Sequence, residues 1–190
     1  MRVLVLGGGQ IAKAVGVAAP GRHEVVTRAH TELDIVDEQA VARTLSEVKA
    51  DWVVNAAAFT AVDLAEDQPA LAHAVNAAAV ASLARASARE ECRLLHLSTD
   101  FVFDGNSNRA YLTTDQPKPL SVYGASKLGG ERHVLDAGTS GIVLRTSWVY
   151  AATGKNFVLT MLRLLREKDQ ISVVCDQIGT PTWAASASDT

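Results

Sequence analysis

Apolar residues recur along this chain in two rhythms. Short continuous runs that stop at glycine or polar residues occupy Arg2 to Leu6, Glu24 to Thr27, Trp52 to Asn55, Arg93 to Ser98, Ile142 to Thr146 and Ile171 to Val174. Runs of this length fit strands buried on both faces, as in a parallel sheet. Thr31 to Ile35 is a shorter candidate strand. Between these runs the spacing turns helical. Ile11, Val15 and Ala18 recur up to Pro20-Gly21, and Asp37 is an N-cap for a helix from Glu38 to Val48. The alanine-rich stretch from Pro69 to Arg89 predicts a helix, since Ala has the best intrinsic propensity. Tyr123 to Leu135 and Asn156 to Glu167 predict two more. Alternating strands and helices specify an α/β fold, a doubly wound parallel sheet with helices on both faces. Phe103 to Val122 is the one long irregular segment, and a long loop in such a fold points to function. Trp183 to Thr190 is a tail of mostly small residues that closes no element.

Composition mainly excludes. The 190 residues suit one domain, or one domain and the beginning of a second. A 48% apolar fraction with only 5 Pro rules out a disordered chain. With 18 Lys+Arg against 21 Asp+Glu the net charge is −3, which offers no basic surface for nucleic acid. No apolar run approaches the ~18 residues a bilayer span needs, and the apolar stretch before the first glycines is too short for a signal-peptide core. Cys92 and Cys175 make neither a disulfide framework nor a metal set. The expectation is a soluble cytoplasmic protein without a nucleic-acid or membrane partner.

The first chemical motif is Gly7-Gly8-Gly9-Gln10-Ile11-Ala12, which ends the first strand and opens the first helix. It satisfies the dinucleotide fingerprint G-x-G-x-x-G/A in the strand–turn–helix context that fingerprint requires. Gly7 allows the tight turn, Gly9 lets backbone N–H groups approach a pyrophosphate, and Ala12 is small enough for close packing. The plain alternative is a glycine turn with no ligand. The second strand runs into Arg28 with no acid until Glu32. An acid there would bind the ribose 2′-hydroxyl of NAD, whereas an Arg suits the 2′-phosphate of NADP. Arg28 therefore favours NADP over NAD, unless it is simply a solvated surface residue.

The second motif is Tyr123-Gly124-Ala125-Ser126-Lys127. Tyr123 and Lys127 project from one helix face. A nearby ammonium favours phenolate and lowers a tyrosine pKa by roughly 1–3 units, which suits proton exchange with a substrate oxygen. Ser98-Thr99-Asp100 closes a strand whose end overhangs the cofactor crevice, so the Thr99 hydroxyl is placed to bind the same oxygen. The alternative for Thr99 is a strand-end cap.

The fingerprint, the hydroxyl residue and Y-x-x-x-K, in this order, resemble the extended short-chain dehydrogenases/reductases, whose cofactor domain is a Rossmann fold. Four further strings narrow the match: VVNAAAFTAVDLAE (Val53 to Glu66), LSTDFVFDG (Leu97 to Gly105), LRTSWVY (Leu144 to Tyr150) and DQIGTPT (Asp176 to Thr182). Together they resemble the dTDP-4-dehydrorhamnose reductase family over essentially the whole chain. The resemblance implies reduction by NAD(P)H of the 4-keto group of dTDP-4-dehydro-L-rhamnose, giving dTDP-L-rhamnose, so a dTDP-sugar is the implied substrate partner. It also implies roles. Tyr123 is the general acid, Lys127 holds the nicotinamide ribose and polarises Tyr123, and Thr99 binds the keto oxygen. Gly9, Gln10 and Ile11 contact the pyrophosphate, Asp34 and Ile35 lie beside the adenine, and Ala58, Phe59 and Thr60 line the cleft. Asp100 and Trp148 face the sugar nucleotide, with a core aromatic the alternative for Trp148 and a turn-associated acid for Asp34.

Two departures accompany the match. The family carries G-x-x-G-x-x-G, whereas this turn is one residue shorter and ends in Ala12. Family members are also longer, with a C-terminal lobe that completes the sugar-nucleotide site. The expected division is a dinucleotide-binding Rossmann domain over 1–174 and, over 175–190, the beginning of a substrate lobe that is otherwise absent. Two other functions stand beside the leading one. A branch of this family is a regulatory subunit of methionine adenosyltransferase, which suggests a non-catalytic NAD(P)-binding module. The other is a reductase, epimerase or dehydratase of a different nucleotide sugar, although a dehydratase wants a glutamate beside the Thr99-Asp100 pair. Mg²⁺ has been associated with some family dimers, so a homodimer stays open, but no ligand cluster here predicts a metal.

Overall fold

The computed structural model describes residues 1–18, 23–138 and 140–188. The chain passes through β1 (Arg2–Leu6), α1 (Gln10–Ala18), β2 (Glu24–Arg28), α2 (Glu38–Val48) and β3 (Trp52–Asn55). It continues through α3 (Val62–Asp67), α4 (Pro69–His73), α5 (Ala79–Arg89), β4 (Arg93–Thr99), α6 (Val122–Asp136) and β5 (Ile142–Thr146). The last elements are β6 (Val149–Tyr150), α7 (Phe157–Glu167), β7 (Thr182–Trp183) and α8 (Ala184–Ser188).

Five strands pair in parallel in the order β2-β1-β3-β4-β5, and β6 and β7 form a separate two-stranded pair. The order in which strands are added reverses between β1 and β3, with β2 to one side of β1 and β3, β4 and β5 to the other. In an open α/β sheet a crevice opens at that point, beyond the carboxyl ends of the strands, and ligands bind there. Right-handed crossovers put α1 on one face and α2, α5 and α6 on the other. On that second face α2 packs on α5 and α5 on α6, while α1 packs with α8. The main core lies between sheet and helices: Leu4, Val53, Val80, Leu83 and Leu94 are wholly buried. Each such side chain stabilises the fold by roughly 1.5–3 kcal/mol relative to an exposed one.

Local signals explain several boundaries. Asp37 Oδ1 accepts from the Ala40 N–H at 2.9 Å, which caps α2 as expected, and α2 ends at Lys49 in the left-handed conformation with φ 50°. Ser121 Oγ caps α6 by accepting from the Gly124 N–H at 3.0 Å. Two glycines let α6 approach its neighbours: a Cβ at Gly124 would strike the Phe101 carbonyl, and one at Gly130 the Asn76 carbonyl.

Four expectations need correction. Thr31 to Ile35 forms turns, with the Glu32 and Leu33 N–H groups both bonded to Ala29 O at 2.9 Å. Leu33 and Ile35 are buried, so their alternation reflects a turn packed on the core. Ile171 to Val174 is no strand either, since Val173 and Val174 are exposed and no half-buried pleated surface meets the run. The stretch Pro69 to Arg89 follows one helical path but is broken by a π-helical turn at Ala74–Ala78. The tail from Trp183 does close elements, because Trp183 joins β7 and Ala184–Ser188 forms α8. The Pro20-Gly21 stop and the last residues of the tail lie outside the described residues. Helix α3 had no counterpart in the apolar pattern.

Candidate active site

The glycine turn is shaped by a close backbone approach. Gly7 has φ +119°, and a Cβ there would lie 2.9 Å from the Ala56 backbone at the end of β3. Its N–H donates to the Arg28 carbonyl at 2.8 Å, tying the turn to the end of β2. Beside Gly9 the space is open, with no atom within 4 Å of a would-be Cβ. The first N–H groups of α1 have no intrahelical acceptor, and the helix dipole adds positive potential. The crevice above this turn has a volume of about 540 Å³, in the size range of small-molecule and cofactor sites.

Gly9, Gln10 and Ile11 line one end of this cleft, Ala58 and Thr60 its side, and Thr99, Asp100, Tyr123, Lys127 and Trp148 the rest. Five other predicted residues lie off this lining. Gly7 sits beneath the turn. Arg28 closes β2, and its Nη1 donates to the Thr27 carbonyl at 3.1 Å. Asp34 Oδ1 accepts from the Val36 N–H at 3.0 Å and lies 3.8 Å from His30. The Ile35 side chain is buried in the main core. Phe59 packs with Ala65, Ala72 and Tyr123.

Thr99 ends β4, and its hydroxyl both accepts from the Phe101 N–H (3.2 Å) and donates to Asp100 Oδ1 (3.1 Å). Burial raises the Asp100 carboxyl above its ordinary pKa, against the Thr99 hydrogen bond. Tyr123 is nearly buried and meets Phe101 edge to face, with ring centroids 5.7 Å apart. Its phenol is pushed above its ordinary pKa, by burial first and then by Asp100, while the Thr99 hydroxyl pulls it down. The expected lowering by Lys127 is therefore not met. The reason is orientation: Lys127 Nζ is tied to β4, donating to Leu97 O at 2.6 Å with His96 Nε2 at 3.3 Å. Burial holds Lys127 down to about 8, offset by attraction to Glu131.

Past β5 the chain folds back over the cleft. Trp148 holds φ 47°, a left-handed conformation costing of order 1–3 kcal/mol in a residue with a side chain. Gly179 lies flat against its indole, since a Cβ there would come within 2.6 Å of Nε1. The Ser147 hydroxyl donates to the Thr180 carbonyl at 2.6 Å, so the Asp176 to Thr182 string is docked beneath the tryptophan. Asn156 Nδ2 donates to Gln10 Oε1 at 2.9 Å, and Gln10 Nε2 donates to the Lys155 carbonyl at 3.2 Å. This bridge lays residues 153–155 across the N-terminus of α1, and Lys155 lines the cleft.

The long loop after β4 is ordered by its own side chains. Phe103 and Tyr111 stack with centroids 4.1 Å apart, and the Tyr111 hydroxyl donates to Asp104 Oδ1 at 2.9 Å. Arg109 donates twice to Asp115, each bond 2.8 Å long. The Asn106 N–H, donating to Asp104 Oδ1 at 3.2 Å, and then the Tyr111 hydroxyl hold the Asp104 carboxyl down to about 2, and Arg109 does the same for Asp115. Arg145 lies over the Phe103 ring at 4.9 Å.

With this geometry in hand, comparison with known proteins is specific. The family model described as RmlD substrate binding domain matches residues 1–190. The chain belongs to this family. A dTDP-4-dehydrorhamnose reductase of Burkholderia thailandensis is 44% identical over 100% of the chain and 64% of that relative. The crystal structure of dTDP-4-dehydrorhamnose reductase from Bacillus anthracis in complex with NADP superposes with a TM-score of 0.96 at 36% identity, covering 99% of this chain and 68% of that one. The orthologue from Clostridium acetobutylicum gives the same TM-score of 0.96 and identity of 36%, covering 100% of this chain and 68% of that one. The chain thus spans just under two thirds of the length of the Burkholderia relative. Among the described residues, no helix is long and apolar enough to cross a membrane.

Several residues of this family member's site escaped the sequence reading. Asn76 is buried in the π-helical turn and brackets Phe59, accepting from its N–H at 2.9 Å and donating to its carbonyl at 3.0 Å. It also donates to Ser126 Oγ at 3.0 Å, which links the cleft wall to α6. Glu131 is buried against Arg145, with bonds of 2.8 and 2.6 Å, and accepts from the Ser98 hydroxyl at 2.5 Å. His96 and Asn55 are wholly buried beside Lys127. For Asn156 a signal was present: a Gly-Lys-Asn turn before an amphipathic helix marks an N-cap, and Asn156 Oδ1 accepts from the Leu159 N–H at 3.0 Å.

Proposed function

We propose that the chain carries the cofactor-binding and proton-donating part of a cytoplasmic NAD(P)H-dependent reductase that converts dTDP-4-dehydro-L-rhamnose to dTDP-L-rhamnose. The observation that carries this reading is the convergence of Thr99, Tyr123, Lys127 and Trp148 on one cleft whose far end is the glycine turn. The turn fits a dinucleotide: open space beside Gly9, a side-chain-free Gly7 and the N-terminal N–H groups of α1 suit a pyrophosphate. Gly9, Gln10 and Ile11 bind that group. Arg28 takes the 2′-phosphate of NADP, Asp34 and the backbone at Ile35 flank the adenine, and Ala58, Phe59 and Thr60 form the cleft side. The reductases of known structure that resemble the chain include one in complex with NADP, which supports the cofactor class.

Bound NAD(P)H supplies the hydride equivalent. The rest is done by side chains of the chain. Thr99 turns its one hydroxyl proton from Asp100 Oδ1 to the keto oxygen and so orients it. Tyr123 gives its phenolic proton to that oxygen as negative charge develops there. Burial favours the neutral phenol, so the proton is in place when it is needed. Lys127 holds the ribose, and Asp100 and Trp148 face the sugar nucleotide.

Calorimetry with NADPH, followed by NADPH consumption with the dTDP-4-keto sugar, tests the reading in two steps. The expected result is cofactor binding, and NADPH loss only when the sugar nucleotide is present. A folded chain that binds no dinucleotide overturns it, and one that binds both ligands without turnover favours a regulatory module.

A further inference from the structure

Lys127 sits in a hydrogen-bond chain whose polarity can be worked out from one end. Asn55 Oδ1 accepts from the Ala57 N–H at 3.1 Å, so the amide NH2 of Asn55 faces His96 Nδ1, 3.1 Å away. An amide NH2 only donates, so Nδ1 accepts. A neutral imidazole has one acceptor nitrogen and one N–H, which places the ring proton on Nε2. That N–H points at Lys127 Nζ, 3.3 Å away, while Nζ donates to Leu97 O at 2.6 Å. Asn55 and His96 are 0% exposed and Lys127 2%, so water does not relieve a mismatch.

An ammonium has donors and no acceptor, whereas an amine keeps a lone pair. Every bond in the chain is therefore satisfied when Lys127 is the amine. The ammonium sets N–H against N–H at Nε2. Moving the ring proton to Nδ1 only transfers the conflict to the Asn55 NH2, and turning that amide over breaks its bond to Ala57. We propose that Asn55 and His96 are positioning residues whose hydrogen-bond polarity disfavours the ammonium form of Lys127, so that Lys127 holds its proton weakly. The catalytic consequence rests on the reductase reading: a weakly held proton can be passed toward the tyrosinate left when Tyr123 has protonated the substrate oxygen.

The charged groups around Lys127 come from three elements. Glu131 lies one turn along α6 and attracts a cation, but its carboxylate already receives Arg145 of β5 and Ser98 of β4. Tyr123 precedes Lys127 on α6, and Asp100 follows β4. Burial acts in the same direction as the hydrogen-bond chain, holding Lys127 down to about 8 and His96 well below its ordinary range.

Heteronuclear NMR of the cofactor-free chain reads both groups directly. The expected result is His96 as the Nε2–H tautomer, with Lys127 titrating well below the ~10.4 of a free lysine. Asn55→Asp keeps an acceptor for Ala57 but offers a carboxylate to the ring. It should shift His96 to the Nδ1–H tautomer and raise the Lys127 midpoint by about one unit or more. An Nδ1–H tautomer in the unaltered chain overturns the proposal, as does a Lys127 midpoint that Asn55→Asp leaves in place. The unaltered chain decides the matter even if the variant does not fold. Neither measurement uses NADPH or sugar, so failure here is distinct from failure of the reductase reading.

Discussion

The sheet from β1 to β4 and the stretch after β5 are held together by different means. In the first, Leu4, Val5, Val53 and Leu94 of the strands and Leu83 of the covering helix α5 are all 0% exposed. In the second, α7 buries no residue fully, and Leu165 and Ile178 are 62% and 100% exposed. What fixes the second region to the molecule is the Gln10 side chain, bonded to Asn156 and the Lys155 carbonyl, and α8, whose buried Ala184 comes in where α8 packs with α1. Ser147 on Thr180 and Gly179 under the Trp148 indole brace the stretch within itself. Area burial is non-directional and roughly additive, whereas hydrogen bonds depend on angle and register. Damage to the first region should therefore appear as lost stability, and damage to the second as a displaced cleft.

The largest expected effect isolates the chemistry from both regions. Tyr123→Phe keeps the ring and its contact with Phe101, so folding and cofactor affinity should hold while turnover falls by roughly 10²–10⁴-fold. Steady-state kinetics beside calorimetry checks this, and unchanged turnover would remove Tyr123 as the acid. Next comes a paired measurement across the two regions. Leu83→Ala should cost about 2–5 kcal/mol in urea unfolding, whereas Leu165→Ala should stay within about 0.5 kcal/mol. Similar losses at the two sites would erase the distinction. A Cβ at Gly9 meets no atom of the fold within 4 Å, so stability should hold in Gly9→Val. The dinucleotide should bind more weakly by about 1.5–3 kcal/mol, the worth of a lost hydrogen bond to a charged group. If Gly9→Val binds NADPH normally, the pyrophosphate lies elsewhere.

Asn156→Ala removes both the cap of α7 and the bridge to Gln10, at a cost of about 0.5–2 kcal/mol. Its signature is a loss of NADPH affinity that the exposed-face variant Leu165→Ala does not share. The smallest effect is confined to the loop after β4. Asp104 and Asp115 are held at about 2 in the fold, below the ~3.9 of an unfolded aspartate. Depressed carboxylates stabilise above the unfolded value, and that contribution is lost as pH falls toward 2. Amide exchange in the loop should therefore quicken between about pH 4 and 2 before the sheet opens, and simultaneous opening would show that the loop is not separately held.

Much of this arrangement was legible because each strand announces itself twice. The bounds expected for β1, β3 and β5 coincide with those observed, since an apolar run there is also bounded by a break. Where the run stood alone, as at Ile171 to Val174, no sheet formed. The paired motifs of the cleft were legible for the same reason, with Gly9 and Tyr123 each lying in a defined context. The interior polar chain was not. Lysine and glutamate are ordinarily exposed and histidine is intermediate, so nothing about His96, Lys127 or Glu131 in the sequence signals that they face one another inside the molecule. The π-helical turn was hidden too, because alanine suits a wide turn as readily as a regular one, and only Asn76 needs it.

The loop from Phe103 to Ser121 has one more consequence. Its staples run among its own residues, from Asp104 to Tyr111 and from Arg109 to Asp115, and its ends are pinned where Lys118 N–H meets Val102 O at 2.8 Å and where Ser121 caps α6. The Arg145 guanidinium over Phe103 joins it to β5. Such a loop behaves as an exchangeable cassette: its length and tip can be rewritten while the parallel sheet beneath stays intact. Phe103 and Ser121 are the cut points at which the segment can be exchanged without opening the main core.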